Sequence, residues 1–175
     1  MRLIKNNRIV EDRYLRVADD VPIPDDGAII VSAERLLTNG EEILRRHGST
    51  GVAWPNNRRV AELAPYLDRL AVVALHIPHF KDGRAYSQAR LLRERYAFVG
   101  ELRATGNVLR DQFLFLVRAG FDALEATKDA DAERFAATLA RYSVFYQPTA
   151  ASRASAARER MSRVATLKAG KEAVC

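Results

Sequence analysis

"AVVALHIPHFKDGRAYSQARLLRERYAFVGELRAT", residues 71–105, decides the fold class. Residues 71–77 are almost continuously apolar and rich in β-branched side chains, the pattern of a strand buried on both faces. Asp82 and Gly83 follow as a potential helix cap. Ala85, Ala89, Leu92 and Tyr96 then stand at i, i+4, i+7 and i+11, one stripe along a helix. "GELRAT" (100–105) returns as a short strand. Strand, helix and strand in this order make a βαβ unit, whose two strands lie parallel.

The alternation extends both ways. Upstream, "AIIV" (28–31) reads as a buried strand and Ser32 as the N-cap of a helix in "AERLLTNGEEILRRH" (33–47). Leu36, Leu37, Ile43 and Leu44 suit its apolar face, with Gly40 a weak point. "GVAW" (51–54) is a strand, "PNN" a turn, and "RRVAELAPYLDRL" (58–70) a helix that Pro65 ends or kinks. Downstream come an apolar helix in "NVLRDQFLFLVRAG" (107–120) ended by Gly120, a strand at 121–125, a helix at 129–142 and a strand at 143–147. Six strands separated by helices predict an α/β fold of repeated βα units with a mainly parallel sheet, either open and doubly wound or a half-barrel. Eight βα units would need more chain. The expected organisation is a polar N-terminal segment (1–27), the α/β domain (28–148) and a basic Ala/Arg-rich tail (149–175), mobile or weakly helical.

The net charge of +6 suggests a nucleic-acid binder until it is divided along the chain. Residues 151–175 hold six basic residues against two acidic ones, so the rest is nearly balanced and no specific nucleic-acid partner is expected. No apolar run is long enough to cross a bilayer, and the N-terminus has no signal-peptide core, so a cytoplasmic protein without membrane partners is expected. The single cysteine, Cys175, excludes an intramolecular disulfide and a cysteine-only metal cluster within one chain. Any redox role must borrow its electron carrier. G-x-G-x-x-G, G-x-x-x-x-G-K-[ST] and G-x-S-x-G are all missing from the sequence, and no cofactor can be read from it.

Ligands of parallel α/β sheets gather outside the carboxyl ends of the strands. Those ends fall at 54–57, 78–84, 105–107, Glu125 and Gln147, and the second is the richest. Arg84 sits in the first helical turn, where its charge opposes the helix dipole unless an anion is bound. The candidate anion-binding set is Arg84, Ser87, Arg90, Arg93 and Arg103, because the planar guanidinium fork fits oxyanions. Asn56, Tyr86, Gln88 and Gln112 are possible supports, and Asp82 and Asp111 are candidate catalytic acids or bases. The bland reading stands beside this one: Asp82 merely caps, Arg90 pairs with Glu94, and Arg93 and Arg95 face water. Asp111 and Gln112 sit within an apolar helix and, if buried, need partners such as Arg103 or Arg84. His76 and His79 form H-x-x-H without a third ligand, so no metal site is expected.

"DGRAYSQARLLRERY", "GELRATGNVLRDQFLFLVRAGFDALE" and "SVFYQ" together resemble a bacterial family of unknown function, domain-of-unknown-function family 934. The carrying residues are Asp82-Gly83-Arg84, Ser87-Gln88-Ala89-Arg90, Leu92-Arg93 and Asp111-Gln112, in order, within a similarity spanning 54 to about 148. Members of that family are encoded beside assimilatory sulfite reductase and described as oxidoreductases of sulfite reduction. The resemblance implies an accessory protein of sulfate and sulfite reduction in cysteine biosynthesis, binding an oxyanion or sulfite reductase itself. The alternative it implies is a small oxidoreductase-type enzyme acting on a sulfur oxyanion or phosphorylated metabolite. Sirohaem and an iron–sulfur cluster carry the electrons in such reductases, and a chain with one terminal thiol cannot hold that cluster alone. The sequence departs from the family at Ala85, where glycine is frequent, and at Ala119, where cysteine is often found, which removes a redox role for that cysteine.

Overall fold

Residues 2–5 and 8–126 are described in a computed structural model, and they build one eight-stranded sheet with its helices on one face. The strands are β1 (Arg2–Lys5), β2 (Arg8–Val10), β3 (Leu15–Arg16), β4 (Ile29–Ser32), β5 (Thr50–Trp54), β6 (Val72–Ile77), β7 (Glu101–Gly106) and β8 (Ala123–Ala126). Their order across the sheet is β2-β1-β8-β7-β6-β5-β4-β3. From β3 to β8 every neighbouring pair is parallel, while β1 pairs antiparallel with β8 and β2 antiparallel with β1. The helices are α1 (Ala33–Ile43), α2 (Arg84–Glu94) and α3 (Phe113–Ala119).

This order decides between the two expected architectures. Strands β4 to β8 succeed one another without reversal, and same-handed crossovers then put every helix on one side. A doubly wound sheet would need a reversal of order. The sheet is also strongly curled. Only residues 11–14 join β2 to β3, although those strands are the two opposite edges. Eight flat strands would separate the edges by roughly 34 Å, whereas the chain from Val10 to Leu15 reaches at most about 18 Å. The result is a half-barrel, with residues 11–14 strapped across its mouth.

The N-terminal 27 residues, expected as a polar segment ahead of the domain, supply three strands of the same sheet. They are short, and their apolar positions are hidden among charges: only Leu3 and Ile4 of β1 are fully buried, and no residue of β2 or β3 is. The expected strands at 28–31, 51–54, 71–77, 100–105 and 121–125 all form within a residue or two of their boundaries. The helix at 129–142, the strand at 143–147 and the tail lie outside the described residues.

Alternation along the strands sorts the two faces. Val73, Leu75 and Ile77 of β6, with Leu102 and Ala104 of β7, pack against Ala85, Ala89 and Leu92 of α2, the stripe read from the sequence. Val72, Ala74 and Ala123 point into the concave face and are equally buried. There the curl leaves no room beside Gly51, where an added Cβ would lie 2.9 Å from the Val72 Cβ and 3.0 Å from the Ile30 Cγ1. Gly51→Ala is expected to destabilise the protein by about 1–3 kcal/mol through overpacking, read as a lower midpoint in thermal unfolding; an unchanged midpoint would mean the barrel interior is looser than its geometry.

Three local features differ from the sequence reading. Ser32 caps α1 as expected, its Oγ accepting from the Arg35 N–H at 3.1 Å, but the helix is kinked at Asn39. The neighbouring Gly40 lets the Tyr66 ring lie so close that a Cβ would meet it at 2.9 Å. Residues 58–70 form two short 3-10 helices, Val60–Leu63 and Leu67–Arg69, on either side of Pro65 rather than one kinked helix. Residues 107–120 begin as a loop and a 3-10 turn at Arg110–Gln112, and α3 starts only at Phe113. Gly120 ends it in the left-handed conformation, φ 106°.

Candidate functional site

Asp82 organises the turn between β6 and α2. Its carboxylate accepts from the Arg84 backbone N–H at 3.1 Å, from Arg84 Nε at 3.0 Å and Nη2 at 2.7 Å, and from Asn56 Nδ2 at 2.7 Å. Gly83 occupies the N-cap position and offers no side chain, so Asp82, one residue earlier, does the capping. The Arg84 side chain first, then its backbone N–H and Asn56, hold the Asp82 carboxyl far below the usual carboxylate range. A carboxylate so low in pKa and so fully engaged carries protons poorly near neutrality. What it does here is lock the β5 and β6 loops together and orient Arg84.

Gln88 makes the second tie. It is buried at 6% exposure, and its Nε2 donates to the Pro55 carbonyl at 3.2 Å and the Arg58 carbonyl at 2.8 Å. The loop after β5 is therefore clamped to α2 at two points. Between them and the first 3-10 helix runs a groove of about 560 Å³. Arg58 and Arg59 form one bank, Arg84, Ser87 and Arg95 the other, and Leu91, Tyr96, Val60 and Ala61 supply its apolar surface. Among the described residues, four arginines line the groove and no carboxylate does.

The arginines differ in how far they are committed. Arg84 is held by Asp82, and Arg58 meets Glu62 at 3.5 Å. The guanidinium groups of Arg59 and Arg95 have no carboxylate partner among the described residues, although the Arg59 backbone N–H donates to Glu62 at 3.2 Å, and Arg95 lies over the Tyr96 ring at 5.9 Å.

The anion set expected from sequence is thus divided among four places. Arg84 and Ser87 line the groove, with Asn56 and Gln88 holding its walls. Arg90 points elsewhere on α2 and pairs with Glu94 at 3.3 Å. Arg93 lies at the other end of that helix, donating to the Phe98, Gly100 and Gly120 carbonyls and pairing with Asp122. Arg103 is on the opposite side of the sheet. Fully buried on the concave face, it meets Asp12 at 2.7 Å, Glu101 at 2.9 Å and Glu125 at 3.3 Å, with the Tyr14 ring 5.5 Å away. Burial works against its charge, but Asp12 and Glu101 more than offset that, so its pKa is raised. A cavity of about 500 Å³ opens beside it at the amino ends of β6 and β7, and its Lys5, Asp12, Glu101 and Arg103 are already paired with one another.

Asp111 and Gln112 are not inside an apolar helix. Asp111 is exposed on the 3-10 turn, and its partner is neither Arg84 nor Arg103. Gln112 joins two loops, accepting from the Leu109 N–H at 3.2 Å and donating to the Phe80 carbonyl at 2.7 Å. Tyr86 packs edge-on against Phe121, and its hydroxyl pKa is raised first by burial and then by the charge of Asp111. Positions 84 and 86 are about 200° apart around a helix, so Tyr86 and Asp111 sit on the flank of α2 away from the groove. Neither Asp82 nor Asp111 is among the residues that line the groove.

Sequence reading missed Arg58, Arg59, Leu91, Arg95 and Tyr96 as groove residues. A signal was present: Arg84, Gln88, Leu91 and Arg95 repeat the i, i+4, i+7, i+11 spacing of the buried stripe, displaced by one residue. Among the described residues no three His, Cys, Asp or Glu side chains come together as a metal site, and no helix is long and apolar enough to cross a membrane. No match is found among curated proteins. The family model "Bacterial protein of unknown function (DUF934)" matches residues 51–157, which span β5 to β8 and every residue lining the groove. More than half of the chain is covered, and the protein belongs to that family.

Proposed function

We propose that this protein is a cytoplasmic accessory component of assimilatory sulfate and sulfite reduction, and that it acts by docking onto sulfite reductase through the arginine-lined groove. One observation carries the reading: among the described residues, four arginines and no carboxylate line a groove whose walls are fixed by Asp82, Asn56 and Gln88. The link to sulfite reduction rests on the resemblance of Asp82-Gly83-Arg84, Ser87-Gln88-Ala89-Arg90 and the later segments to their family. Binding is favoured over catalysis because neither candidate acid/base residue lines the groove, and Asp82 is saturated with hydrogen bonds. The test is sedimentation of the purified protein with purified sulfite reductase. A complex is expected at low ionic strength and should weaken steeply as the Debye length shortens from about 30 Å at 0.01 M to about 8 Å at 0.15 M. No complex at either salt concentration would sink the proposal.

A small oxyanion held by Arg84 and Ser87 is the second reading, favoured by one detail: Asp82 engages Nε and Nη2 of Arg84 and leaves Nη1 over. Thermal unfolding with sulfite, sulfate, phosphate and adenylyl sulfate addresses it. A ligand at about 100 times its dissociation constant adds roughly 2.7 kcal/mol, and the shift should vanish in Arg84→Ala.

A further inference from the structure

The charges in the groove are spread along it rather than gathered at a point. Arg84 opens α2 and Arg95 caps its far end, so the two are separated by about 16 Å of helix. Arg84 is turned back onto Asp82, before the helix begins, and Arg95 lies over Tyr96, after it ends. Arg58 and Arg59 face them from the other bank. A single sulfate or phosphate is small enough to meet one of these ends only. Between the ends lies Leu91, 43% exposed, on a helix whose other apolar side chains are largely covered.

We infer that the groove takes an extended acidic peptide segment of a partner protein, with carboxylates at both ends and one apolar side chain seated on Leu91. This rests on the docking reading and specifies what the partner presents. An extended chain covers 16 Å in about five residues, so the segment is short. Carboxylate–guanidinium forks with Arg59 and Arg95, whose side chains have no carboxylate partner among the described residues, would set the register. Residues 151–175 hold six basic side chains and two acidic ones, a sign that matches the groove's own rather than complementing it. Burying Leu91 supplies the apolar contribution that distinguishes such a peptide from polyanions in general.

The test uses the isotope-labelled full chain and the capped synthetic heptapeptide Glu-Glu-Gly-Leu-Gly-Glu-Glu, followed through the arginine Nε–H and backbone resonances. Arg58, Arg59, Arg84, Arg95 and Leu91 are expected to shift together in one saturable process. Arg59→Glu/Arg95→Glu should weaken it by about tenfold or more, Leu91→Ser should weaken it by several-fold, and Arg90→Glu, a single charge reversal outside the groove, should change it by less than about twofold. These variants are at exposed positions, and their thermal midpoints confirm folding. Shifts confined to Arg84 and Ser87 and reproduced by sodium sulfate at equal ionic strength would overturn the inference in favour of a small-oxyanion site. Equal weakening by Arg90→Glu would overturn it as diffuse charge attraction. A concentration-dependent dimer lost in Arg59→Glu/Arg95→Glu would overturn it too, because the aspartate loop 19–26 of a second copy would be the occupant. Sulfite reductase binding without any heptapeptide response refutes this inference alone, while heptapeptide binding without reductase binding upholds it and refutes the identity of the partner.

Discussion

Arg103→Met is expected to lower the unfolding free energy by about 3–5 kcal/mol, read from the midpoint of urea denaturation at constant slope. The reason lies in what remains behind. Arg103 has no exposed surface, and its guanidinium is shared by Asp12 on the N-terminal strap, Glu101 at the start of β7 and Glu125 on β8. Methionine fills much of the same volume, so the loss is electrostatic rather than a cavity effect. Glu125 keeps a contact to Arg16 on β3 and Glu101 one to Lys5 on β1, but three carboxylates are then crowded with weaker neutralisation. Arg103 also carries the only ion pair described for Asp12, so the strap across the barrel mouth should loosen and be cleaved faster by trypsin at Arg13. Arg103→Lys keeps the charge but not the fork, and an intermediate loss is expected. A change below about 1 kcal/mol in Arg103→Met would mean that water reaches these carboxylates freely.

That cluster also shows where sequence reading stops. Residues 71–105 made the parallel α/β class legible because each strand and helix there is set by local periodicity. Choosing between an open sheet and a half-barrel depended on residues 2–16, whose strands are two to four residues long and of which β1 joins the sheet only by pairing with β8, about 120 positions away. Arg103 lies in the quoted stretch, and alternation alone could have placed it opposite Leu102 and Ala104. That the opposite face is a buried, charged interior was not visible without Asp12 and Glu125 beside it. The groove was half legible. Arg84, Ser87 and Gln88 lie close together in sequence and line it, but Arg58 and Arg59 reach it only because Gln88 ties their loop to α2. Arg90, Arg93 and Arg95 look alike in one dimension, and their different roles are decided by a hundred degrees of helical rotation per residue.

Arg93→Met is expected to cost about 3 kcal/mol of stability while leaving the groove's binding unchanged, and that contrast separates supporting arginines from binding ones. Its side chain is 14% exposed, and every nitrogen of the guanidinium is used. Nε donates to the Gly120 carbonyl at 3.1 Å, Nη1 to the Phe98 and Gly100 carbonyls, and Nη2 meets Asp122, whose carboxylate also accepts from the Leu102 N–H at 2.8 Å. The end of α2, the turn into β7 and the turn into β8 are thus pinned by one fork, with the Phe98 ring 5.7 Å from its centre. Methionine keeps the packing and leaves three part-buried carbonyls without this donor, a loss several times that of an exposed ion pair. Arg59→Glu/Arg95→Glu should behave in the opposite way, with stability within about 0.5 kcal/mol of the parent and acidic-partner binding lost. Paired measurements of unfolding midpoint and binding on the two variants check this. Loss of binding in a fully stable Arg93→Met protein would move the functional surface from the groove to the amino ends of β7 and β8.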